Sequence, residues 1–244
     1  MRVTLILFLG LLLSACGPVK EVDTTLNWTV EKLYRSARSH MDDGNYLTAI
    51  EQYETLESRF PFGKYATQAQ LDVAYAYYKF DEHESSIAAI ERFIKLNPRH
   101  ESVDYAYYLR GLINFNRGGG ILDKLHDRDN ADYDKSILVN SYDDFQLLIR
   151  RFPTSAYAED SRQRMIYLRE QIARADLKVA QYYASRDAWV AAANRTKTIL
   201  QDYQGTAAVE AALKLQLQAY ENLGLEDLAD DTRRIIELNY SNGS

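Results

Sequence analysis

The chain has 244 residues, a formal net charge of −6 at pH 7, a single cysteine and 19 tyrosines. An acidic chain lacks the basic face that nucleic acid binding requires, and its net charge also disfavours attraction to anionic lipid headgroups. One cysteine excludes an intrachain disulfide. With only four prolines and many Ala, Leu, Glu and Gln residues, the composition predicts an all-α protein.

The amino terminus has the pattern of a secretory signal peptide. Met1-Arg2 supplies a positive end, and residues 3–13 form an apolar run. This run is too short to span a bilayer as a helix, which takes about 20 residues. We therefore expect residues 1–15 to be a signal peptide.

Cys16 follows small residues at the expected cleavage site. The arrangement resembles the lipobox of bacterial lipoproteins, in which the thiol receives a diacylglycerol and the new amino terminus is acylated with palmitate. The alternative is an ordinary signal peptide that happens to contain a cysteine. Gly17, instead of aspartate, points to lipid anchoring at the outer membrane, on its periplasmic face. Residues 16–29 are expected to form the lipidated tether.

The remaining chain carries a repeated pattern of paired helices. In the first unit, Gly44 and Tyr46 lie between two amphipathic stretches, Ala49 follows in the second stretch, and Pro61 closes it. Glycine ends a helix, alanine permits close helix approach, and proline stops the second helix. Further closing prolines at 98 and 153 mark the second and third units.

Two more units complete the array. The fourth contains Trp189 and Ala192 and ends at Tyr203, whereas the fifth turns at Gly224 and has Ala229 at the close-approach position. Five units of this kind predict a superhelical solenoid of tetratricopeptide-type helix pairs.

The spacing between units is uneven. The third unit contains an insertion at residues 117–135 that includes three consecutive glycines, and residues 156–185 contain no proline or glycine. We interpret the first as a loop and the second as one lengthened helix. This helix divides the chain into repeats one to three, residues 30–153, and repeats four and five, residues 154–244.

Catalytic chemistry has no candidate residues in this sequence. The four histidines are scattered without metal-ligand spacing, and the acidic run at residues 127–132 lacks the glycine and glutamate of a calcium loop. The glycine run does not precede a Lys-Ser/Thr pair, so it is not a phosphate loop. The sequence therefore predicts a non-enzymatic protein with no metal and no cofactor.

The first helices of successive units are expected to line a concave groove rich in tyrosine. Such a groove suits an extended client peptide that carries aromatic side chains and a terminal carboxylate, which basic side chains could meet. For any single tyrosine, packing between helices is an equally good interpretation. The predicted groove residues are Tyr34, Arg38, Leu71, Tyr75, Tyr78, Lys79, Tyr105, Tyr108, Leu112 and Phe115.

Several longer motifs resemble the BamD family, the lipoproteins of the outer-membrane β-barrel assembly (BAM) machinery. The resemblance covers nearly the whole mature chain and rests on residues 59–65 (RFPFGKY), 74–79 (AYAYYK), 92–98 (RFIKLNP), 104–112 (DYAYYLRGL), 127–129 (DRD), 188–191 (AWVA) and 194–195 (NR). The one departure is Gln204, which stands where the family has proline.

The resemblance implies a periplasmic scaffold of five repeats. Its amino-terminal repeats would receive the C-terminal targeting segments of unfolded outer-membrane proteins, and its carboxy-terminal repeats would hold the periplasmic domains of the BamA insertase. Other BAM lipoproteins would attach along its side. We place the BamA contact at Asp187, Trp189 and Arg195; the alternative for Arg195 is an ordinary exposed arginine.

Two other functions remain open on the sequence alone. A pilotin-type lipoprotein that escorts secretin subunits would share the lipobox and repeats, but not the insertion or the lengthened helix. An enzyme with appended repeats would need a catalytic cluster that the sequence lacks.

Overall fold

The computed structural model describes residues 24–117 and 135–240. The predicted signal peptide, Cys16 and nearly all of the predicted insertion lie outside these residues. The described residues form ten α-helices: α1 Val30–Asp42, α2 Tyr46–Arg59, α3 Lys64–Lys79, α4 His83–Leu96, α5 Val103–Arg117, α6 Lys135–Arg151, α7 Ala158–Ala184, α8 Trp189–Asp202, α9 Ala208–Asn222 and α10 Glu226–Tyr240.

The helices are arranged as five consecutive antiparallel pairs. Each helix packs against the next along the chain, and first helices also pack across units, α1 on α3, α3 on α5 and α7 on α9. The predicted superhelical solenoid of five tetratricopeptide-type pairs is confirmed. The uninterrupted segment predicted between residues 156 and 185 is a single helix, α7, with 27 residues. No helix in the described part of the chain combines the length and apolar character that crossing a membrane requires.

The turns inside four of the units share one backbone motif. The residue two positions before each second helix has a left-handed backbone, with φ values of 77° at Gly44, 69° at Asp81, 57° at Asp187 and 67° at Gly224. The next amide donates to the carbonyl five residues earlier, as in Asn45 N to His40 O at 2.8 Å. This bonding is that of a Schellman motif, which satisfies carbonyl groups left open at a helix end.

A small residue recurs early in each second helix and is buried in all five units: Ala49, Ser86, Ser141, Ala192 and Ala229. Two of these residues also form a hydrogen bond to the first helix of their pair. The Ser86 hydroxyl donates to Ala74 O at 2.6 Å, and the Ser141 hydroxyl donates to Gly111 O at 3.0 Å. The small side chains let the paired helices approach closely.

A larger apolar residue lies seven positions after the small one in units one to four: Leu56, Phe93, Leu148 and Ile199, each fully buried. Burying a side chain of this size contributes roughly 1.5–3 kcal/mol. In unit five the corresponding Ile236 is only half-buried, and no helix among the described residues follows α10 to pack on it. The repeat pattern therefore defines the core of the solenoid.

Candidate functional site

A cleft of about 590 Å³ opens between the first helices of units one, two and three. α1, α3 and α5 supply most of its walls, and the turn before α7 adds one ring. The lining residues are Arg38, Met41, Asp42, Tyr46, Gln68, Leu71, Asp72, Tyr75, Lys79, Ser102, Tyr105 and Tyr157.

Half of the predicted groove residues line this cleft: Arg38, Leu71, Tyr75, Lys79 and Tyr105. They come from α1, α3 and α5, so the repeat frame brings residues far apart in the sequence to one surface. Their use in binding a client stays a prediction.

Two other predicted groove tyrosines lie beside the cleft. The Tyr34 hydroxyl donates to the Asp72 carboxylate at 2.8 Å, and its ring centroid is 5.2 Å from that of Tyr65. Tyr34 also lines a neighbouring cavity of about 420 Å³ with Lys64 and His100. Tyr78 is half-buried, and its hydroxyl accepts a hydrogen bond from the Asn116 amide.

Tyr108 packs against the start of α7. Its ring stacks on that of Tyr157, with centroids 4.7 Å apart, and its hydroxyl donates to Asp160 at 2.7 Å. Burial, together with the bond to the Asp160 carboxylate, raises the pKa of Tyr108 to about 12. Tyr108 therefore supports the cleft through Tyr157, which lines it.

Leu112 and Phe115 pack against α6 and α7, in a cluster with Leu138 and Phe145. The Phe115 ring lies 5.7 Å from that of Tyr167. These two residues lie one and two helical turns past Tyr108, where the lengthened α7 covers α5. Their contacts are packing between helices, and neither residue lines the cleft.

A buried carboxylate forms the floor of the cleft. Asp72 is 6% exposed and accepts hydrogen bonds from Tyr34 at 2.8 Å, Gln68 at 2.8 Å and Tyr53 at 3.4 Å. Burial raises the pKa of Asp72, and the hydrogen bonds and nearby Arg38 oppose that rise only in part. Burial, reinforced by this carboxylate, also raises the pKa of Tyr34 and Tyr53. The floor is thus a hydrogen-bonded network centred on one acidic group.

Two cationic side chains line the cleft. Arg38 bonds to Asp42 at 3.2 Å; burial lowers its pKa, but the carboxylates of Asp72 and Asp42 outweigh this effect and raise it. The Lys79 ammonium lies 5.9 Å from the Tyr46 ring centroid and makes no ion pair within the described residues. The cleft therefore combines aromatic rings with two cations, of which Arg38 is paired with Asp42 and Lys79 is not paired with any described residue.

Sequence reasoning missed several lining residues, among them Gln68 and Asp72, which lie two turns and one turn before Tyr75 on α3. Their spacing of four residues could have indicated a shared face. Tyr46 begins a second helix and Tyr157 lies in a turn between units, so the repeat frame alone gave no signal for these two.

The residues predicted to contact BamA lie at the turn between α7 and α8. Asp187 is exposed in the left-handed turn position, half-buried Trp189 begins α8, and Arg195 is exposed and makes no ion pair with any described residue. Two exposed apolar residues, Tyr182 and Val190, were not anticipated; they are 53% and 61% exposed. We call these five residues, which flank the turn in sequence, the candidate second surface.

The chain folds into paired helices stacked in series, and a tyrosine-lined cleft opens between them. It is therefore a helical-repeat protein of the tetratricopeptide type. Residues 27–235 match the YfiO family, described as an outer membrane lipoprotein, and the chain belongs to this family. The predicted resemblance to BamD is confirmed by curated relatives.

Three of these relatives, each named outer membrane protein assembly factor BamD, illustrate the match. The protein of Neisseria meningitidis (strain Z2491) is 46% identical over 98% of this chain and 91% of its own length. The protein of Vibrio cholerae is 42% identical over 85% of this chain and 86% of its own length. The protein of Pasteurella multocida is 36% identical over 97% of this chain and 90% of its own length. Among solved structures, the TPR2AB domain–pHSP90 complex of yeast Sti1 aligns over 86% of this chain and 77% of that chain, with a TM-score of 0.48 and 13% identity; similarity of this size supports no inference about function.

Proposed function

We propose that this protein is a periplasmic scaffold of the β-barrel assembly machinery, anchored in the outer membrane through acylated Cys16. In this proposal the cleft of units one to three binds C-terminal targeting segments of unfolded outer-membrane proteins. Units four and five bind the periplasmic domains of BamA, other BAM lipoproteins attach elsewhere, and the assembly promotes insertion of the client. Family membership supports the role in outer-membrane assembly and favours it over a pilotin-type role.

The cleft is the observation that carries the client-binding part. Tyr75 and Tyr105 offer rings for aromatic side chains of a peptide, and Arg38 and Lys79 offer positive charge for a terminal carboxylate. Asp42 and Gln68 add groups that can accept hydrogen bonds from peptide amides. An extended peptide that ends in an aromatic residue has the matching chemistry at each of these points.

A peptide-binding assay tests this proposal. A fluorescent peptide from the carboxyl end of a β-barrel protein, ending in phenylalanine, is titrated with the purified mature chain by anisotropy. We expect the peptide with a free carboxylate to bind at least about tenfold more tightly than its amidated form, because a charge-assisted pair contributes more than 1 kcal/mol. Arg38→Gln combined with Lys79→Gln should remove most of that difference.

Aromatic recognition is tested separately. Tyr75→Ala with Tyr105→Ala should weaken the binding of both peptides. A matched control that replaces two exposed tyrosines outside the cleft, Tyr182→Ala with Tyr240→Ala, should leave the affinity for both peptides unchanged. Circular dichroism establishes that helix content is intact in every variant. Equal affinity of all variants for both peptides would remove the cleft as the client site.

The second surface supports the BamA-binding part. Exposed Arg195 lies on α8 within two turns of Trp189, and the apolar side chains of Tyr182 and Val190 are exposed nearby in the sequence. Arginine, tyrosine and tryptophan are enriched among the residues that dominate binding at interfaces, and Arg195, Tyr182 and Trp189 are of these types.

A further inference from the structure

The two ends of the helix pairs differ in charge in units one and two. We define the inter-unit edge by the three turns that join units one to four, residues 58–64, 95–102 and 150–157. The intra-unit edge, at the opposite ends of the helices, is described in units one and two by residues 41–45 and 79–84. In the inter-unit turns the basic residues are Arg59, Lys64, Lys95, Arg99, Arg150 and Arg151, and Glu101 is the only acidic residue. In the two intra-unit segments the acidic residues are Asp42, Asp43, Asp81, Glu82 and Glu84, and Lys79 is the only Lys or Arg. In unit three, Arg117 and Lys135 lie at the intra-unit edge and pair with Glu84 and Asp176.

Helix dipoles do not account for this difference. Basic residues stabilise helix C-termini and acidic residues stabilise N-termini. Each edge carries one end of each kind from every pair, so the dipoles alone predict similar charge at both edges. The basic inter-unit edge is therefore not apparent from the net charge of −6 of the whole chain.

The basic edge also exposes large apolar side chains. Phe62, in the first turn, is 89% exposed, and Leu96, at the end of α4, is 60% exposed. Leu26 is 68% exposed in the segment that enters α1, and this segment lies against the first turn because Arg59 donates to Thr25 O at 2.8 Å. Trp28, in the same segment, is half-buried against the core of the first units, and the Lys32 ammonium lies 4.3 Å from its ring centroid. Aromatic rings beside lysine are typical of side chains at a membrane–water interface.

The chain enters the fold at this same edge. A lipid on Cys16 would hold the fold close to the membrane, because the chain from Cys16 to Leu26 spans at most about 35 Å even when fully extended. This step rests on the lipid anchor of the proposed function. The tether thus brings a basic edge with exposed apolar groups within reach of phospholipid headgroups.

We infer that the inter-unit edge of units one to three docks on the membrane surface. Lys64, Lys95 and Arg99 bind phosphate groups of anionic phospholipids, and Phe62 and Leu96 enter the interface. The acyl chains and this edge form two attachments, and two attachments hold a protein to a membrane more durably than one. Docking by this edge turns the acidic intra-unit edge away from the membrane.

The first experiment separates the edge from the acyl chains. The mature chain with Cys16→Ser, which carries no lipid, is mixed with vesicles of phosphatidylethanolamine and phosphatidylglycerol, and bound protein is measured by flotation. We expect binding that weakens as salt increases and is absent on phosphatidylcholine vesicles. Lys64→Glu with Arg99→Glu should reduce binding at least about tenfold, since each basic residue near an anionic surface contributes several-fold in affinity.

A charge-matched control carries Lys197→Glu and Lys214→Glu, on α8 and α9, and should bind like the Cys16→Ser parent. No binding by the parent, or equal loss in the test and control variants, would overturn the inference. Acylation of Cys16 is tested independently by palmitate incorporation into the natural chain. Failure of the anchor and failure of the docking edge are therefore distinguishable.

The second experiment uses the absence of other cysteines in the Cys16→Ser chain. Phe62→Cys and Leu47→Cys each supply one site for a polarity-sensitive dye, on the inter-unit edge and at the start of α2 on the opposite side. Addition of the anionic vesicles should shift the emission of the dye at position 62 to the blue and leave position 47 unchanged. Equal responses contradict the inference, as does a dye at position 62 that responds to a protein partner but not to vesicles.

Discussion

The ring of Phe145 lies directly over Gly111, so that a methyl group added to the glycine would sit 2.7 Å from the ring carbon Cε1. Phe145 is fully buried, and its helix is held to α5 by the hydrogen bond from Ser141 to Gly111 O. We expect Gly111→Ala to lower the free energy of unfolding by about 1–2 kcal/mol, because overpacking costs about 1–3 kcal/mol and the gain in helix propensity offsets up to about 1 kcal/mol.

Urea denaturation followed by circular dichroism measures this loss. The double variant Gly111→Ala with Phe145→Leu should lose less than the sum of the two single variants, because the smaller side chain makes room for the methyl group. Strict additivity would show that the two residues do not compete for the same space.

The buried Asp72 carboxylate predicts a specific pH dependence. Because its pKa is raised in the folded chain, the folded state binds the proton more tightly than the unfolded state does. Between the ordinary carboxyl pKa of about 3.9 and the raised value, stability therefore falls as pH rises, and it is highest once the group is protonated.

Comparison with Asp72→Asn isolates this contribution. The free energy of unfolding of the natural chain, minus that of the variant, should decrease as pH is raised from about 4 and then level off above the raised pKa. Urea titrations across this range measure the difference. A difference that increases with pH would show that the hydrogen bonds from Tyr34 and Gln68 dominate over burial.

The ion pair between Arg110 and Asp144 links α5 to α6 in a largely buried place. The two side chains are 2.6 Å apart at their closest atoms, and Asp144 also accepts a bond from Asn114 at 3.0 Å. We expect Arg110→Met to lower the free energy of unfolding by about 3 kcal/mol, because it leaves a buried carboxylate without its cation. The double variant with Asp144→Leu should recover most of the loss; a double variant as unstable as Arg110→Met would indicate that packing of the arginine stem matters more than charge.

The candidate BamA surface can be tested without disturbing the turn. Asp187 has a left-handed backbone, so Asp187→Ala adds strain, whereas Asp187→Gly removes the carboxylate and keeps the turn. We expect Arg195→Glu to weaken co-purification with BamA, with unchanged thermal stability, because reversal of an exposed charge disturbs the interface and not the fold. Lys214→Glu, an exposed change on α9, serves as the control. A complex of the Arg195→Glu variant that survives high salt would place the contact elsewhere.

The repeat pattern explains why most of the fold could be predicted. Glycine at 44 and 224, proline at 61, 98 and 153, and small residues such as Ala49 each act locally, through backbone conformation or helix approach. Their spacing is therefore visible along the chain. The aspartates at 81 and 187 take the same turn position as the glycines, and this equivalence became visible only through their φ angles.

The cleft could be predicted only in part. Tyr75 and Tyr105 face it because they follow the period of their own helices, which the sequence shows. The positions of Leu112 and Phe115 depend on which part of α7 covers α5, a long-range packing that no local spacing encodes. The position of Asp72 in the cleft could not be predicted for a similar reason, because its hydrogen-bond partners Tyr34 and Tyr53 lie on two other helices.

The length of α7 has a mechanical consequence. A helix of 27 residues is about 40 Å long and has no proline or glycine at which to bend. It begins directly after Tyr157, which lines the cleft, and its last turn leads into the Asp187 turn. Because nothing along this helix bends, it joins the cleft of units one to three to the turn at Asp187 as a single rigid segment.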